Sequence, residues 1–365
     1  MKYLDEFRDP KLAQGLVKYI RQRAVVPSTV MEFCGGHTHA ILRHGIRQLL
    51  SGSVTLLSGP GCPVCVTAAA DLDRAIALAR VPGLILATFG DMLRVPGSYG
   101  SLREAKAEGA DVRMVYSTQD ALALARDNPN HPVVFLGVGF ETTAPTVAAS
   151  LLQAEREGIP NYYVQSLHKL TPPAMRAILD GGEVALSGII GPGHVTTIIG
   201  SRSWEFLPQE YGIACSVAGF EPLDILRAVA LLVDMITEEC PSVANAYPRS
   251  VTQEGNRAAQ EIMDRVFEVG PAEWRGLGIL PDSGLGLRAE FQHRDVLCAF
   301  PVDVGPSREP PGCRCGDVLR GVLSPTECPL FGGACTPAAP KGPCMVSAEG
   351  ACAAYFRYGD YSDGK

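Results

Sequence analysis

Short apolar runs alternate along the chain with longer segments in which apolar residues recur every three or four positions. The runs, which predict strands, are SVTLLSG (53–59), GLILATFG (83–90), PVVFLGVGF (132–140), NYYVQS (161–166), ALSGIIG (185–191) and IACSVAGF (213–220). The periodic segments, which predict helices, are residues 69–81, 118–127, 143–157 and 221–236. This alternation predicts βαβ units around parallel sheets that are covered on both faces.

Glycine-containing corners follow the predicted strands and repeat weakly. SGPGCPVCVT (58–67) resembles IGPGHVTT (190–197), and GFETTAP (139–145) resembles GFEPLDI (219–225). The repeats favour an α/β fold with two Rossmann-like parallel-sheet lobes of related topology. Because open parallel sheets bind ligands beyond the carboxyl ends of their strands, we expect the polar corner residues to line a cleft between the lobes. These residues are Asp91, Arg94, Glu141, Thr142, Thr143, His194, Thr196, Glu221 and Asp224.

The chain changes character after residue 300. Residues 301–343 hold nine of the 28 prolines and few apolar runs, so this segment has little surface to bury. A bound metal can supply the missing folding free energy. We therefore expect a first lobe over 1–118, a second lobe over 119–218, a helical connection over 219–300 and a small cysteine-rich domain over 301–365.

Composition excludes several classes of partner. The net charge is −7 and no run of Lys or Arg occurs, which argues against nucleic-acid and anionic-membrane partners. No stretch of 18 apolar residues predicts a membrane span, and the charged N-terminus does not resemble an export signal. We expect a soluble cytoplasmic protein. No phosphate-binding G-x-x-x-x-G-K-[ST] motif is present.

Twelve cysteines in such a chain point to metal or redox chemistry. EFCGGHTHAI (32–41) joins Cys34 to two imidazoles, His37 and His39, across two glycines. Cys and His bind soft or borderline metals. A tight turn beside a buried cysteine is the alternative. Cys215, Cys240 and Cys298 have no spacing partner, and we expect them to be core residues.

GPGCPVC places Cys62 and Cys65 as C-x-x-C between a strand and a predicted helix. A helix N-terminus and the C-x-x-C spacing both lower thiol pKa values, which favours a reactive thiolate or a reversible disulfide. Two buried structural cysteines are the alternative. Pro63 suits the first turn of a helix, where its missing N–H costs nothing.

Six cysteines crowd the tail: Cys313, Cys315, Cys328, Cys335, Cys344 and Cys352. Four of them would satisfy an iron–sulfur cluster or a tetrahedral zinc, leaving two as a second thiol pair. The spacing lacks the two close pairs of a structural zinc site, so it favours iron–sulfur modestly over zinc. It does not say which four cysteines bind.

The longest motifs carry a resemblance to a known family. EFCGGHTHAI, GPGCPVCVT, TFGDMLRVPGS, GFETTAP, GPGHVTTIIG, GFEPLDIL and the tail pattern CxCGxVLxGxxxPxxCPLFGxxCTPxxPxGPCMVSxEGACAAYFRY resemble the HypD family of hydrogenase maturation factors. The resemblance runs from about residue 30 to residue 358, with no departure at a cysteine or histidine of these motifs.

The resemblance implies a C-terminal [4Fe-4S] domain and a role in assembling the Fe(CN)2CO group of NiFe hydrogenases. The family's spacing assigns the cluster to Cys313, Cys328, Cys335 and Cys352, which leaves Cys315 and Cys344 as the second thiol pair. It makes Cys62 and Cys65 the redox pair, and Cys34 with His37 the position that holds iron. The implied partners are a HypC-type chaperone, a HypE-type cyanide donor and, indirectly, the hydrogenase large-subunit precursor.

These implications favour an assembly scaffold with redox-active thiols rather than an enzyme in the strict sense. The alternative is a [4Fe-4S]-dependent thiol–disulfide oxidoreductase acting on a protein disulfide. Such an oxidoreductase needs a dithiol and a cluster but has no use for Cys34-Gly-Gly-His.

Overall fold

A computed structural model describes residues 5–359. In this range the strands are β1 (Ser28–Glu32), β2 (Val54–Ser58), β3 (Ile85–Thr88), β4 (Asp111–Met114), β5 (Val133–Gly139), β6 (Tyr162–His168), β7 (Gly188–Pro192), β8 (Ala214–Ala218), β9 (Val243–Asn245), β10 (Phe267–Trp274) and β11 (Gly278–Leu287). The six runs predicted to be strands correspond to β2, β3, β5, β6, β7 and β8, which confirms them.

The α-helices of the described range are α1 (Pro10–Arg23), α2 (Gly35–Arg43), α3 (Ile46–Leu50), α4 (Pro63–Val66), α5 (Ala69–Ala79), α6 (Leu102–Ala107), α7 (Thr118–Asp127), α8 (Ala144–Glu157), α9 (Thr171–Gly181), α10 (Gly193–Ile199), α11 (Phe206–Tyr211), α12 (Pro222–Thr237), α13 (Arg257–Val266), α14 (Val296–Ala299), α15 (Cys315–Leu319) and α16 (Ala351–Tyr358). The four predicted helices are α5, α7, α8 and α12. No helix in residues 5–359 is both long enough and apolar enough to cross a membrane.

Two parallel sheets form two Rossmann-like lobes. The first sheet has the order β2-β1-β7-β8-β9, and the second has the order β4-β3-β5-β6. Every strand pair in both sheets is parallel. β5 is buried along its whole length, as expected for a strand covered by helices on both faces. These features confirm the α/β fold class.

The two lobes are interleaved along the chain. The chain first forms β1 and β2 of the first sheet, then builds the whole second sheet over residues 85–168, and then returns to the first sheet with β7, β8 and β9. The structure therefore divides the chain differently from contiguous lobes at 1–118 and 119–218. The physical reason is pairing: the edge of β1 that β2 leaves free is covered by β7. Both GPG corners, after β2 and after β7, lie on this first sheet, so that repeat does not relate the two lobes.

Residues 219–300 are not simply a helical connection. They contain α12, which packs on α1 and β8, and the antiparallel hairpin β10–β11, which packs on α9 and β6. The cysteine-rich tail contains only short helices, and α16 packs against α2. The tail therefore sits directly on the element that follows Cys34.

Candidate metal and thiol site

The strand order of the first sheet, β2-β1-β7-β8-β9, has its switch point between β1 and β7: the chain continues from β1 to one side of the sheet and from β7 to the other. Cys34 follows β1, and His194 lies just past the end of β7. Crevices at such switch points are the usual ligand sites of open parallel sheets. In the second sheet the corresponding point lies between β3 and β5, and α4, which carries the C-x-x-C, packs against β5. The structure thus places both sequence-predicted thiol motifs at the carboxyl ends of strands.

A hydrogen bond and close packing fix the backbone of Cys34. It is the N-cap of α2 with φ −151° and ψ 122°, and its N–H donates to Glu32 Oε2 at 2.7 Å. Thr38 Oγ1 donates to the other oxygen of the same carboxylate. A Cβ on Gly61 would lie 2.2 Å from Cys34 N, so only glycine fits there. The position of Cys34 is therefore set by its surroundings.

The glycine after Cys34 is required by packing as well. A Cβ on Gly35 would lie 2.5 Å from the carbonyl oxygen of Glu349, which belongs to the tail. This close approach answers why the motif contains glycine: the tail backbone occupies the space that a side chain would need.

The Cys34 thiol is protonated in the absence of a metal. Burial raises its pKa to about 12, and the nearby carboxylates of Glu349 and Glu32 contribute, while the N–H groups of Gly36 and His37 act in the opposite direction. A metal that binds this sulfur must therefore displace a proton. Burial likewise raises the pKa of Glu32 to about 7.

His37 is buried and neutral, with one free nitrogen. Its Nε2 lies 3.0 Å from Gly219 O and 3.2 Å from Ala218 O, so Nε2 carries the proton and donates. Its Nδ1 is buried and has no hydrogen-bond partner in the described part of the chain. Burial lowers the pKa of His37 to about 4. The lone pair on Nδ1 is thus available to a metal or to a hydrogen-bond donor.

An aromatic stack fixes the His37 ring. Its centroid lies 4.6 Å from that of Phe220, and the centroid of His194 lies 4.0 Å from Phe220. His39, the other imidazole of the motif, faces the tail instead: its Nδ1 lies 3.3 Å from Ala348 O. His194 was predicted to line the cleft, and the stack brings it toward His37.

The C-x-x-C forms a short helix of its own, with Pro63 in its first turn as predicted. Cys62 is its N-cap, and Cys65 N donates to Cys62 Sγ at 3.3 Å. Although burial alone would raise it, hydrogen bonds from Cys344 and Cys62 and the charge of Arg275 lower the pKa of Cys65 to about 5. Burial and the neighbouring Cys65 raise the pKa of Cys62. The thiolate is therefore Cys65 rather than the N-cap residue.

The two predicted thiol pairs are in contact with each other. Cys344 hydrogen-bonds to Cys65, Cys315 and Cys352. The sulfurs of Cys315 and Cys344 are 2.8 Å apart, longer than the roughly 2.05 Å of a disulfide bond. All twelve cysteines are free thiols. A continuous chain of sulfurs therefore runs from the C-x-x-C into the tail.

Of the four remaining tail cysteines, Cys352 contacts this chain directly, because it hydrogen-bonds to Cys344. The charges of Cys328 and Cys352 act on Cys313, and that of Cys328 acts on Cys352. Cys335 Sγ accepts a hydrogen bond from Lys341 N at 3.2 Å. A Cβ on Gly342 would lie 2.5 Å from Cys313 Sγ, so glycine leaves that sulfur room.

This donor set suits an iron–sulfur cluster in its chemistry. [4Fe-4S] clusters are held by four Cys thiolates and tuned by hydrogen bonds to sulfur. Across residues 5–359, no three Cys, His, Asp or Glu side chains converge as ligands of one metal ion. A [4Fe-4S] cluster is larger than a single metal ion, so its four thiolates need not converge on one point.

Several other residues predicted to line the cleft are structural. Glu141 accepts from Thr171 N at 2.7 Å and so caps α9, while Asp224 pairs with Arg249. Thr196 donates to Pro192 O and accepts from Trp204. Cys215 is buried in β8 as expected, but the expectation for Cys240 and Cys298 was wrong. Both are exposed, because they lie in a turn after α12 and in the surface helix α14.

Sequence reasoning missed Glu32, Phe220, Arg275 and Glu349. Arg275 is 3% exposed, and its guanidinium donates to Thr67 O and pairs with Glu309. Glu349 is close enough to Cys34, Cys62 and Cys65 for its charge to act on each of them. Of these four residues, only Glu32 could have been identified from the sequence, because it lies two residues before Cys34 at the end of a strand.

Two parallel-sheet lobes and a cysteine-rich tail, which together place a series of thiols beside neighbouring crevices, define an α/β protein with clustered free thiols. The HypD family model, described as "Hydrogenase formation hypA family", matches residues 11–359. The chain belongs to the HypD family.

Curated relatives extend over the full chain. The hydrogenase maturation factor HypD2 of Bradyrhizobium diazoefficiens is 48% identical over 373 residues, which is 100% of this chain and 98% of that protein. The hydrogenase expression/formation protein HupD of Azotobacter chroococcum mcd 1 is 50% identical over 98% of this chain and 97% of its own length. The hydrogenase maturation factor HypD of Escherichia coli K12 is 43% identical over 98% of each chain.

Proposed function

We propose that this chain is a scaffold and redox protein of NiFe-hydrogenase maturation. On it the Fe(CN)2CO group is assembled with a HypC-type chaperone and a HypE-type cyanide donor, and is then passed toward the hydrogenase large-subunit precursor. Relatives named hydrogenase maturation factors support the general role. One observation supports the finer proposal. Cys34 lies at a sheet switch point, and the tail packs against Gly35, the residue that follows it. The same tail carries the thiols that continue the chain of sulfurs from the C-x-x-C.

Cys34 and His37 provide the cargo site in this proposal. The Cys34 thiolate is the soft donor for iron, and the free Nδ1 of His37 can give its lone pair to the same iron. Because the Cys34 pKa is about 12, iron binding releases a proton, and loading becomes easier as the pH rises. Gly35 makes room for the tail backbone beside this site.

The thiols carry the redox part. Cys65, with a pKa of about 5, is the thiolate that attacks Cys344 when Cys344 and Cys315 form a disulfide: a Cys65–Cys344 bond forms and the Cys315 thiolate leaves. Arg275 supports the Cys65 thiolate from within the protein. A [4Fe-4S] cluster on Cys313, Cys328, Cys335 and Cys352 would supply one-electron chemistry next to these thiols.

A thiol–disulfide oxidoreductase is the second candidate, and the sulfur contacts favour it. The chain from Cys62 through Cys65 and Cys344 to Cys315 is what such an enzyme requires. It gives no role to the free Nδ1 of His37 or to the enclosed Cys34 thiol. Loading of iron at Cys34 separates the two candidates.

Infrared spectroscopy of the protein purified anaerobically with its chaperone tests the proposal. We expect cyanide and carbonyl stretches in the wild type and none in Cys34→Ser, because the hydroxyl keeps the volume of the thiol and loses the soft donor. His37→Ala should weaken loading by about 10- to 100-fold, as for a supporting group at a metal site.

Cys240→Ser is the matched control, since Cys240 is an exposed free cysteine away from the site. Visible absorbance of the tail cluster reports folding in each variant. Normal cyanide and carbonyl bands in Cys34→Ser would move the cargo elsewhere and favour the oxidoreductase.

A further inference from the structure

A cleft of about 750 Å³ separates the second lobe from the cysteine-rich tail. One wall is formed by residues 96–104, and the other by residues 308–311 and 337–341. These residues take no part in the proposed cargo binding or thiol exchange.

The cleft is positively charged in a chain whose net charge is −7. Arg103, Arg308 and Lys341 line it and are exposed, and within residues 5–359 none of these three side chains makes an ion pair or hydrogen bond. Arg94, also in the lining, lies 3.5 Å from Asp91.

The lining contains two carboxylates that reduce this charge only in part. Glu309 is neutralised by the buried Arg275. Glu104 is exposed and lies near Gly100. With Arg94 and Glu309 both paired to residues outside the lining, three unpaired cations face one unpaired carboxylate within the described residues.

The two walls are fixed to each other. Asp73, which is buried, accepts from Ser98 N and Ser98 Oγ on one wall at 2.7 and 2.6 Å. It also accepts from Ser307 Oγ, next to the other wall, at 2.6 Å. The cations are thus presented on a preformed surface, which lowers the ordering cost of binding.

The tail wall leads directly to two cysteines of the predicted cluster. Cys313 N donates to Pro310 O at 3.1 Å, and Lys341 N donates to Cys335 Sγ at 3.2 Å. A molecule bound in the cleft would therefore be separated by a single segment of backbone from Cys313 and Cys335, two of the four predicted cluster ligands.

We infer that this cleft is the docking surface for an acidic one-electron carrier protein that supplies the tail cluster. The inference rests on the proposed function, because it assumes the cluster. The cations lie exposed on the rim rather than converging on one buried point. This arrangement attracts a macromolecule over a distance and does not grip a small anion.

The redox balance requires two docking events per disulfide. Each reduced carrier gives up one electron and leaves oxidised. Two electrons and two protons from water convert one disulfide of the thiol chain into two thiols. The carrier is therefore the reductant, and the disulfide is the oxidant.

A stopped-flow and binding experiment on the cluster-containing protein tests the inference. The variant is Arg103→Gln/Arg308→Gln/Lys341→Gln, and the probe is a reduced plant-type [2Fe–2S] ferredoxin, which is acidic. We expect the second-order rate of cluster reduction to fall about 10-fold or more at low ionic strength, and the difference to shrink at high salt. The affinity for oxidised ferredoxin, measured by calorimetry, should fall in parallel.

Lys18→Gln/Arg257→Gln/Arg265→Gln is the matched control, because it removes three exposed cations elsewhere. Both triple variants should be reduced normally by photoreduced deazaflavin, which needs no docking surface. An equal loss in the control, or no loss in the cleft variant, would overturn the inference.

Two further outcomes distinguish carrier docking from a small-anion site and from a protein without a cluster. If inorganic pyrophosphate binds the wild type but not the cleft variant, while ferredoxin binding is unchanged, the cleft is a small-anion site and the inference is wrong. If the wild type shows no cluster absorbance, the cofactor part of the proposed function fails. Ferredoxin binding by calorimetry then still tests the surface, and its absence would overturn the inference independently.

Discussion

At the scale of single residues, a few buried polar groups determine how the thiols behave. Burial makes Cys34 a protonated thiol, whereas hydrogen bonds from Cys344 and Cys62 and the charge of Arg275 make Cys65 a thiolate. The two thiol motifs look alike in the sequence because both lie beside glycine after a strand. Their difference arises largely from neighbours far away along the chain, which no local pattern can reveal.

Arg275→Gln should make the Cys62–Cys65 disulfide harder to reduce. Loss of the guanidinium raises the pKa of Cys65 and destabilises the reduced, thiolate form. We expect the reduction potential to fall by about 30 mV for each unit by which the Cys65 pKa rises, with Arg275→Lys intermediate. Equilibration in glutathione buffers, an acid quench and mass spectrometry of the alkylated peptides give the potential.

Arg249→Gln serves as the charge-matched control, since Arg249 pairs with Asp224 away from the thiols. An unchanged potential in Arg275→Gln would show that the hydrogen bonds from Cys344 and Cys62 alone maintain the thiolate.

At the scale of elements, strong apolar runs were predictable and weakly patterned strands were not. β5, with seven buried residues, and α12, with its long apolar face, were evident from the sequence. β4 was missed because it is an edge strand with a charged sequence, DVRM. The hairpin β10–β11 was missed because glycine and proline interrupt it and many of its residues are exposed. Its stability comes from α9 and β6, not from its own composition.

Glu141→Gln should change the pH dependence of unfolding through the start of α9. Burial raises the pKa of Glu141 to about 7 in the folded state, above its unfolded value of 4.5. The raised pKa therefore stabilises the folded wild type below pH 4.5, and this contribution to the free energy of unfolding is lost as the pH rises through 7. The variant lacks that loss, so its free energy of unfolding relative to wild type should rise between pH 4.5 and 8, on the order of 3 kcal/mol.

His168→Gln, at the end of β6, provides the comparison of opposite sign. Burial lowers the pKa of His168 to about 3, so the wild type loses stability as the pH falls from 6.5 toward 3. Chemical unfolding at several pH values checks both variants. Parallel pH curves for wild type and Glu141→Gln would mean that this carboxyl does not titrate in the folded protein with a raised pKa.

At the scale of the whole molecule, the order of the lobes along the chain could not be predicted from the sequence. Alternating strands and helices indicated two parallel sheets correctly. Only the pairing of β1 with β7 reveals that one lobe is inserted within the other. The tail cysteines were identifiable by number and spacing, but the contact of Cys344 with Cys65 depends on how the tail folds back onto the lobes.

Cys328→Ala should loosen only part of the tail. The segment around residues 320–343 has few buried apolar side chains and depends on the predicted cluster for order. α16 packs on α2 and buries Ala354 and Tyr355, and Ser307 is tied to Asp73, so both ends should stay docked. Limited proteolysis with mass spectrometry should show new cleavage in 320–343 alone, with loss of iron and sulfide.

Cys240→Ala, an exposed cysteine outside the tail, is the control and should be cleaved like the wild type. Full cluster occupancy in Cys328→Ala would contradict the assignment of that cysteine.

The interleaved lobes also determine when the proposed iron site can form during synthesis. β1 and Cys34 leave the ribosome early, but β7, which completes the switch point, begins only at Gly188. Domains fold as units while a chain emerges, and the second lobe is a continuous segment that can do so first. Glu349, which closes over Gly35, arrives last. If Cys34 holds iron as proposed, its complete surroundings form only when translation is almost finished, so a partly made protein lacks the complete site.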